Sequence, residues 1–204
     1  MRYNISRPDM EFFTENDLQL LYKYGGEEYV KTPETDAVVD ELSKGVWSKT
    51  REWSNMVGSD EFRAECRRHV VKQAGITPKQ ADGRHYMRRV YRPFSWAKLY
   101  RPNEKEYGIF FTVGVDGKSR SLMWKLDCKR SGSKALDLKR VLRFDEYMSR
   151  NAVSQGTASI ADLKQYDWDK LVAKTRQFIV VNLPHYEAAL AYTWQGMKLE
   201  DVVA

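Results

Sequence analysis

The sequence predicts an α+β fold: an antiparallel sheet over about 84–129, packed by amino-terminal and carboxy-terminal helices within a single domain spanning 1–204. Three observations carry that expectation. Helix caps and apolar residues at three- and four-residue steps fill 1–75; short aromatic and β-branched runs around an Asp-Gly turn fill 84–129; capped helical patterns return over 137–196. The composition agrees. With 42% hydrophobic, 13% aromatic and 30% charged residues, the 204-residue chain lies far from the signature of a disordered one.

Thr14 and Asp17 open a first helix, with Leu18, Leu21 and Tyr24 inward and Gly25-Gly26 closing it. Thr32-Pro33-Glu34 starts a second, and Val39, Leu42, Val46, Trp53 and Met56 extend it to about 57, with a weak point at Gly45. Ser59 and Asp60 are expected to cap a third helix through Phe62 and Val70, ended by Gly75 and Pro78. From 84 the period changes to that of strands, broken by Arg92-Pro93 and Arg101-Pro102. GIFFTVGV, Asp116-Gly117 and KSRSLMWKLDCKR read as a hairpin with a two-residue turn. Asp137 then caps a helix through Leu138 and Leu142, and further helices are expected over 157–165, 167–182 and 184–195 before Gly196.

Charge is distributed unevenly. Residues 1–65 hold 8 Lys/Arg against 14 Asp/Glu, whereas 66–103 hold 10 against the single acid Asp82, and 117–143 hold 9 against 2. Within the central block, Arg84, Arg88, Arg89, Arg92, Lys98 and Arg101 alternate with Tyr86, Tyr91, Phe94, Trp96 and Tyr100. Guanidinium groups bind phosphate bidentately and flat rings stack on bases, so this mixture suits a polyanion, above all nucleic acid. The competing expectation is that the rings are core and the arginines a solvated rim, which explains the missing acids less well.

In the two-residue-turn register Glu106 faces Asp127, and Leu122, Trp124, Leu126 and Cys128 share the buried face. The opposite face carries Ser121, Met123, Lys125, Asp127 and Lys129, with Gly108, Phe110, Thr112 and Gly114 across from them. The run L-D-C-K resembles the D-x-K end of the PD-(D/E)xK nuclease motif. Carried over, the resemblance assigns Asp127 to the second carboxylate, Lys129 to the water-orienting lysine and Glu106 to the first carboxylate, with Mg²⁺ as the implied cofactor. Glu106 departs from the aspartate usual there, and Asp116 lies at the turn, a strand's length from Asp127. The blocks PFSWAKLY, GIFFTVGVD and LMWKLDCKR, followed by YDWDKL, resemble the small aromatic-rich modules that accompany prokaryotic restriction and anti-phage defence proteins, over about 93–171. That resemblance implies a module recognising DNA for a separate effector protein.

Three functional classes are thereby expected. In the first, the chain is a nucleic-acid-binding module, most readily for DNA, without catalysis or cofactor; Arg84, Arg88, Arg89, Arg92, Lys98 and Arg101 contact phosphates, and Tyr91, Trp96 and Tyr100 stack on bases where their rings are exposed. The second is a Mg²⁺-dependent nuclease using Glu106, Asp127 and Lys129. The third is an interaction or inhibitor protein whose acidic first helices bind a partner. Cys66 and His69 make a half-site without a second pair, so no metal is expected, and the two cysteines are expected to be reduced thiols. No apolar run approaches the roughly 20 residues of a membrane span and the amino terminus lacks a secretory apolar stretch, so the cytoplasm is the expected location and a membrane partner is not.

Overall fold

Thr14 and Asp17 cap one another at the start of α1 (Glu15–Tyr24), Asp17 N donating to Thr14 Oγ1 at 3.3 Å and Thr14 N to Asp17 Oδ2 at 2.8 Å. The computed structural model describes residues 10–67, 69–79, 81–132 and 135–194. Thr32 and Thr35 cap α2 (Pro33–Leu42) in the same way. The helical run then passes through a π-helical turn, Ser43–Ser48, into α3 (Lys49–Val57). The weak point expected at Gly45 is this turn. A Cβ on Gly45 would stand 2.1 Å from Asp17 Oδ1, so the bare glycine lets the α1 carboxylate reach Lys49, whose Nζ donates to Asp17 Oδ2 at 2.7 Å and to the Phe12 carbonyl at 2.9 Å.

Strands replace the third helix expected over 59–75: β1 (Arg63–Cys66) and β2 (Val71–Ile76). They are followed by β3 (Met87–Tyr91), β4 (Phe94–Tyr100), β5 (Ile109–Asp116), β6 (Ser121–Cys128) and β7 (Gly156–Ser159). β1, β4, β5, β6 and β7 form, in that order, one antiparallel sheet, while β2 and β3 form a two-stranded ribbon. The fold is thus α+β, as the sequence predicts, but its sheet begins before 84 and continues past 129. Thr157–Gln165, expected as a helix, is instead β7 followed by a 3-10 segment, Ile160–Gln165. α4 (Leu138–Arg150), α5 (Trp168–Val181) and α6 (Leu183–Trp194) match the expected carboxy-terminal helices, Asp137 and Asp167 capping the first two. Gln195 and Gly196 lie outside the described residues.

The β5–β6 hairpin departs from the two-residue turn. Phe110 opposes Asp127 and Val113 opposes Trp124, so the chain reverses through the four residues 117–120, with Arg120 at φ 49°. Gly117 is used for close approach: its N–H donates to the Pro93 carbonyl at 2.9 Å, and a Cβ there would lie 2.7 Å from that oxygen. Relative to the expected register every partner moves by four positions, an even number, so the two faces keep their expected membership.

α3, α5 and α6 pack on one side of the sheet. Leu99, Phe111, Val113, Leu122, Trp124 and Leu126 face them and are buried. Trp53 of α3 packs edge-on to Trp124 at 6.1 Å and donates from Nε1 to Thr175 of α5 at 3.2 Å, and Tyr186 of α6 stacks on Phe111 at 5.5 Å. Each large ring removed from water in this layer stabilises the fold by roughly 1.5–3 kcal/mol. Cys66 and Cys128 are free thiols on the same inner side, on an edge strand and a central strand. Burial pushes them up to about 11 and about 12 respectively. Among the described residues no helix is long and apolar enough to cross a membrane.

Candidate functional site

The outer face of the sheet is built from the alternate residues of the same strands: Glu65 and Arg67 of the β1 strand and its continuation, Phe94, Trp96, Lys98 and Tyr100 of β4, Phe110 and Thr112 of β5, and Lys125 and Asp127 of β6. Here long polar side chains lie across rings. Lys98 Nζ sits 4.1 Å over the Phe110 ring and Lys125 Nζ 4.7 Å over Trp96, while Phe94 stacks on Trp96 at 4.4 Å. Between them opens a cavity of about 240 Å³, with Trp47 from the π turn in its wall. Arg67, Arg92, Lys98, Lys129 and Arg130 line it, against two carboxylates, Glu65 and Asp127.

Neither carboxylate forms an ion pair with Arg67, Arg92 or Lys98, although both lie near enough to Lys98 to favour its charged form. Glu65, cross-strand from Lys98, gives its Oε2 to Lys105 at 2.6 Å. Asp127 is buried, accepting from Lys125 Nζ at 3.0 Å and from the Cys128 amide at 2.8 Å, with Arg130 Nε at 3.8 Å; Arg130 itself is bidentate to Asp145 at 2.6 and 2.8 Å. Burial, reinforced by the charges of Arg67 and Lys129, presses the Lys98 ammonium down to about 8. Burial and Arg67 also lower Arg92. Three buried polar atoms of cavity-lining residues lack a hydrogen-bond partner among the described residues: Arg92 Nε, Trp96 Nε1 and the Oγ1 of Thr112, whose residue is only 1% exposed. An unsatisfied buried polar group costs on the order of 1–3 kcal/mol, so a ligand that brings acceptors there recovers stability that the free protein forgoes.

The ribbon is the second half of the surface. β1 and β4 pair as one hairpin whose arms part at 67–70 and 92–93 and pair again as β2 and β3, bridged by Arg92 N donating to the Val70 carbonyl at 2.8 Å. Along the ribbon Arg84, Arg88 and Arg89 are exposed, as are Ile76, Tyr86 and Met87, with Ile76 directly opposite Met87. Glu28, in the segment before α2, bridges to Val90, and Arg89 lies 5.6 Å over the Tyr29 ring.

The residues expected to bind therefore divide. Arg92, Lys98 and Trp96 meet in the cavity, while the ribbon carries Arg84 in its loop and Arg88 and Arg89 as consecutive residues of β3, on opposite faces of the strand, with Arg89 turned to Tyr29. Tyr91 is 2% exposed, packed on Tyr24 and Tyr29 with its hydroxyl donating to the Thr35 carbonyl, which leaves no ring face for a base. Arg101 is held by Glu61 at 2.6 Å and Glu187 at 2.9 Å, so acids already neutralise its charge. Tyr100 is half-buried beside the cavity, with Lys105 Nζ 4.9 Å over its ring.

The nuclease pairing is not formed. Glu106 lies in the 3-10 segment Pro102–Tyr107, ahead of β5, and the residue opposite Asp127 is Phe110. The four-residue turn is the cause, since it draws Glu106 off the paired strand. Lys129 does reach the cavity, as a lining cation. Among the described residues no three His, Cys, Asp or Glu side chains come together to hold a metal ion.

Sequence reasoning missed Arg67, Arg130, Thr112 and Trp47 as cavity residues. Arg67 sits inside the acid-poor block and Thr112 on the outward face, so both carried a signal; Trp47 carried none, because its helical spacing marks it as core. Comparison with protein-family models, with curated proteins and with solved structures finds no match to this chain.

Proposed function

We propose that the chain is a nucleic-acid-binding module whose ribbon and outer sheet face form one polyanion-binding surface. The observation that carries this reading is the continuity of the hairpin: the exposed arginines of the ribbon and the cavity cation Lys98 are joined through Arg67 and Arg92 at its bend. Cations spread along one backbone path track a strand of phosphates, whereas surface arginines paired with acids, as at Arg101, do not. The resemblance over 93–171 favours DNA as the polymer and gives any downstream action to a separate effector.

Fluorescence anisotropy of labelled single- and double-stranded DNA and RNA, titrated across salt concentrations with and without Mg²⁺, tests it. Binding is expected to weaken steeply with salt, and Arg88→Ala with Arg89→Ala to lower the salt slope by about 1 for each phosphate that is no longer neutralised. The exposed pair should leave folding stability within about 0.5 kcal/mol. No binding to any of the four polymers at low salt overturns the proposal. Mg²⁺-dependent cutting lost in Asp127→Ala replaces it with the nuclease.

A further inference from the structure

We propose that the outer-face cavity is a pocket for a single unpaired nucleotide, its phosphate among Arg67, Arg92 and Lys98 and its base along Phe94 and the edge of Trp96. This rests on the nucleic-acid reading and adds to it a division of labour: the ribbon holds the strand and the cavity takes one unit of it.

The chemistry of the lining selects the ligand. Arg92 Nε and Trp96 Nε1 can only donate, and Thr112 Oγ1 can donate or accept, so the three partnerless atoms call for a group rich in acceptors. Phosphate oxygens and the edge of a base supply both kinds. The cations Arg67, Arg92 and Lys98 make no ion pair with a described carboxylate, and the nearest carboxylates are engaged elsewhere, Glu65 by Lys105 and Asp127 by Lys125. An inorganic anion would satisfy the charge and leave the Phe94 ring and the edge of Trp96 unused.

Size excludes the larger alternatives. At about 240 Å³ the cavity is smaller than the roughly 300–1,000 Å³ of pockets for drug-sized ligands, so it fits one flat heterocycle and its phosphate and not a stacked base pair. The bend of the hairpin places Arg67 and Arg92 at the foot of the ribbon, so a strand laid along one face of the ribbon arrives at the cavity mouth. Unpairing is what a duplex must undergo there, and a single strand offers it without cost.

The test follows the indole N–H of Trp96 by two-dimensional NMR of the full chain, its signal identified among those of the six tryptophans by its loss in Trp96→Phe. A nucleoside 5′-monophosphate should move it at concentrations where the nucleoside alone and inorganic phosphate alone do not. Thr112→Val, which keeps the side-chain shape, should weaken the monophosphate at least about fivefold, the loss of one hydrogen bond. A signal that stays in place with every nucleotide, or that inorganic phosphate moves equally, overturns the pocket. Oligonucleotide binding with an unmoved signal overturns the pocket and leaves the interface standing; a moved signal with no oligonucleotide binding overturns the interface and leaves the pocket.

Discussion

Lys98 makes the outer face sensitive to pH. Its ammonium is pressed down to about 8 by burial and by the neighbouring charges of Arg67 and Lys129, against 10.5 for an ordinary lysine. A bound phosphate favours the charged form, so the complex keeps a proton that the free protein surrenders as pH rises through 8. Affinity for an oligonucleotide should therefore hold steady below about pH 7 and fall as pH rises above 8, and Lys98→Met should remove that part of the fall; anisotropy titrations at stepped pH read it directly. The same shift acts on folding in the opposite direction. The folded chain releases this proton before the unfolded chain does, so the penalty of burying the charge is present below pH 8 and lifted between 8 and 10.5. Which cations would matter was only partly legible at this scale. Alternation marked Tyr91 and Arg101 as candidates as firmly as Trp96 and Lys98. What separates them comes from afar: Glu61 and Glu187, 40 and 86 positions from Arg101, take its charge, and the Thr35 carbonyl, 56 positions from Tyr91, takes its hydroxyl.

Capped helices were the most legible elements because their signals are local. Thr14, Thr32, Asp137 and Asp167 each bond to a backbone N–H three residues on, a relation that needs nothing else from the fold. Short strands were the least legible. β1 and β7, four residues each, owe their state to partners far along the chain, β4 and β6, and in isolation RAEC and GTAS fit a helix equally well. The hairpin lies between these cases: Asp-Gly located the reversal, but the tight seat of Gly117 against Pro93 and Leu21 selected a longer turn. β7 makes this tertiary dependence testable. Gly156 lies over the Trp124 ring, where a Cβ would meet Nε1 at 1.9 Å, so Gly156→Ala must displace either the indole or the edge strand. A loss of about 1–3 kcal/mol is expected from urea unfolding, with the largest amide chemical-shift changes in β6 and β7.

One core runs through the described residues, from Phe13 to Tyr192. Trp168 of α5 donates from Nε1 to the Met10 carbonyl at 2.8 Å, and Trp53 links α3 to α5 over the inner face of the sheet, so the amino-terminal and carboxy-terminal helices are tied to each other as well as to the strands. Placing α3, α5 and α6 on one side buries the inner face and leaves the other side to cations and rings, with Trp47 of the π turn among them. The acid-poor composition of 66–103, visible in the sequence, becomes a surface only because β1 to β4 form a single bent hairpin. The two thiols turn that architecture into a clock. Both are protonated at neutral pH, but only Cys128 is buried, so iodoacetamide can alkylate it only when its strand parts, whereas the half-buried Cys66 is reached sooner. Cys66, half-buried on the edge strand at the foot of the ribbon, should be modified well before the buried Cys128 at the end of β6, by peptide mass spectrometry of timed samples. Nucleic acid bound along the ribbon should slow the first event and spare the second, which would show that the ligand clamps the bend of the hairpin without tightening the rest of the molecule.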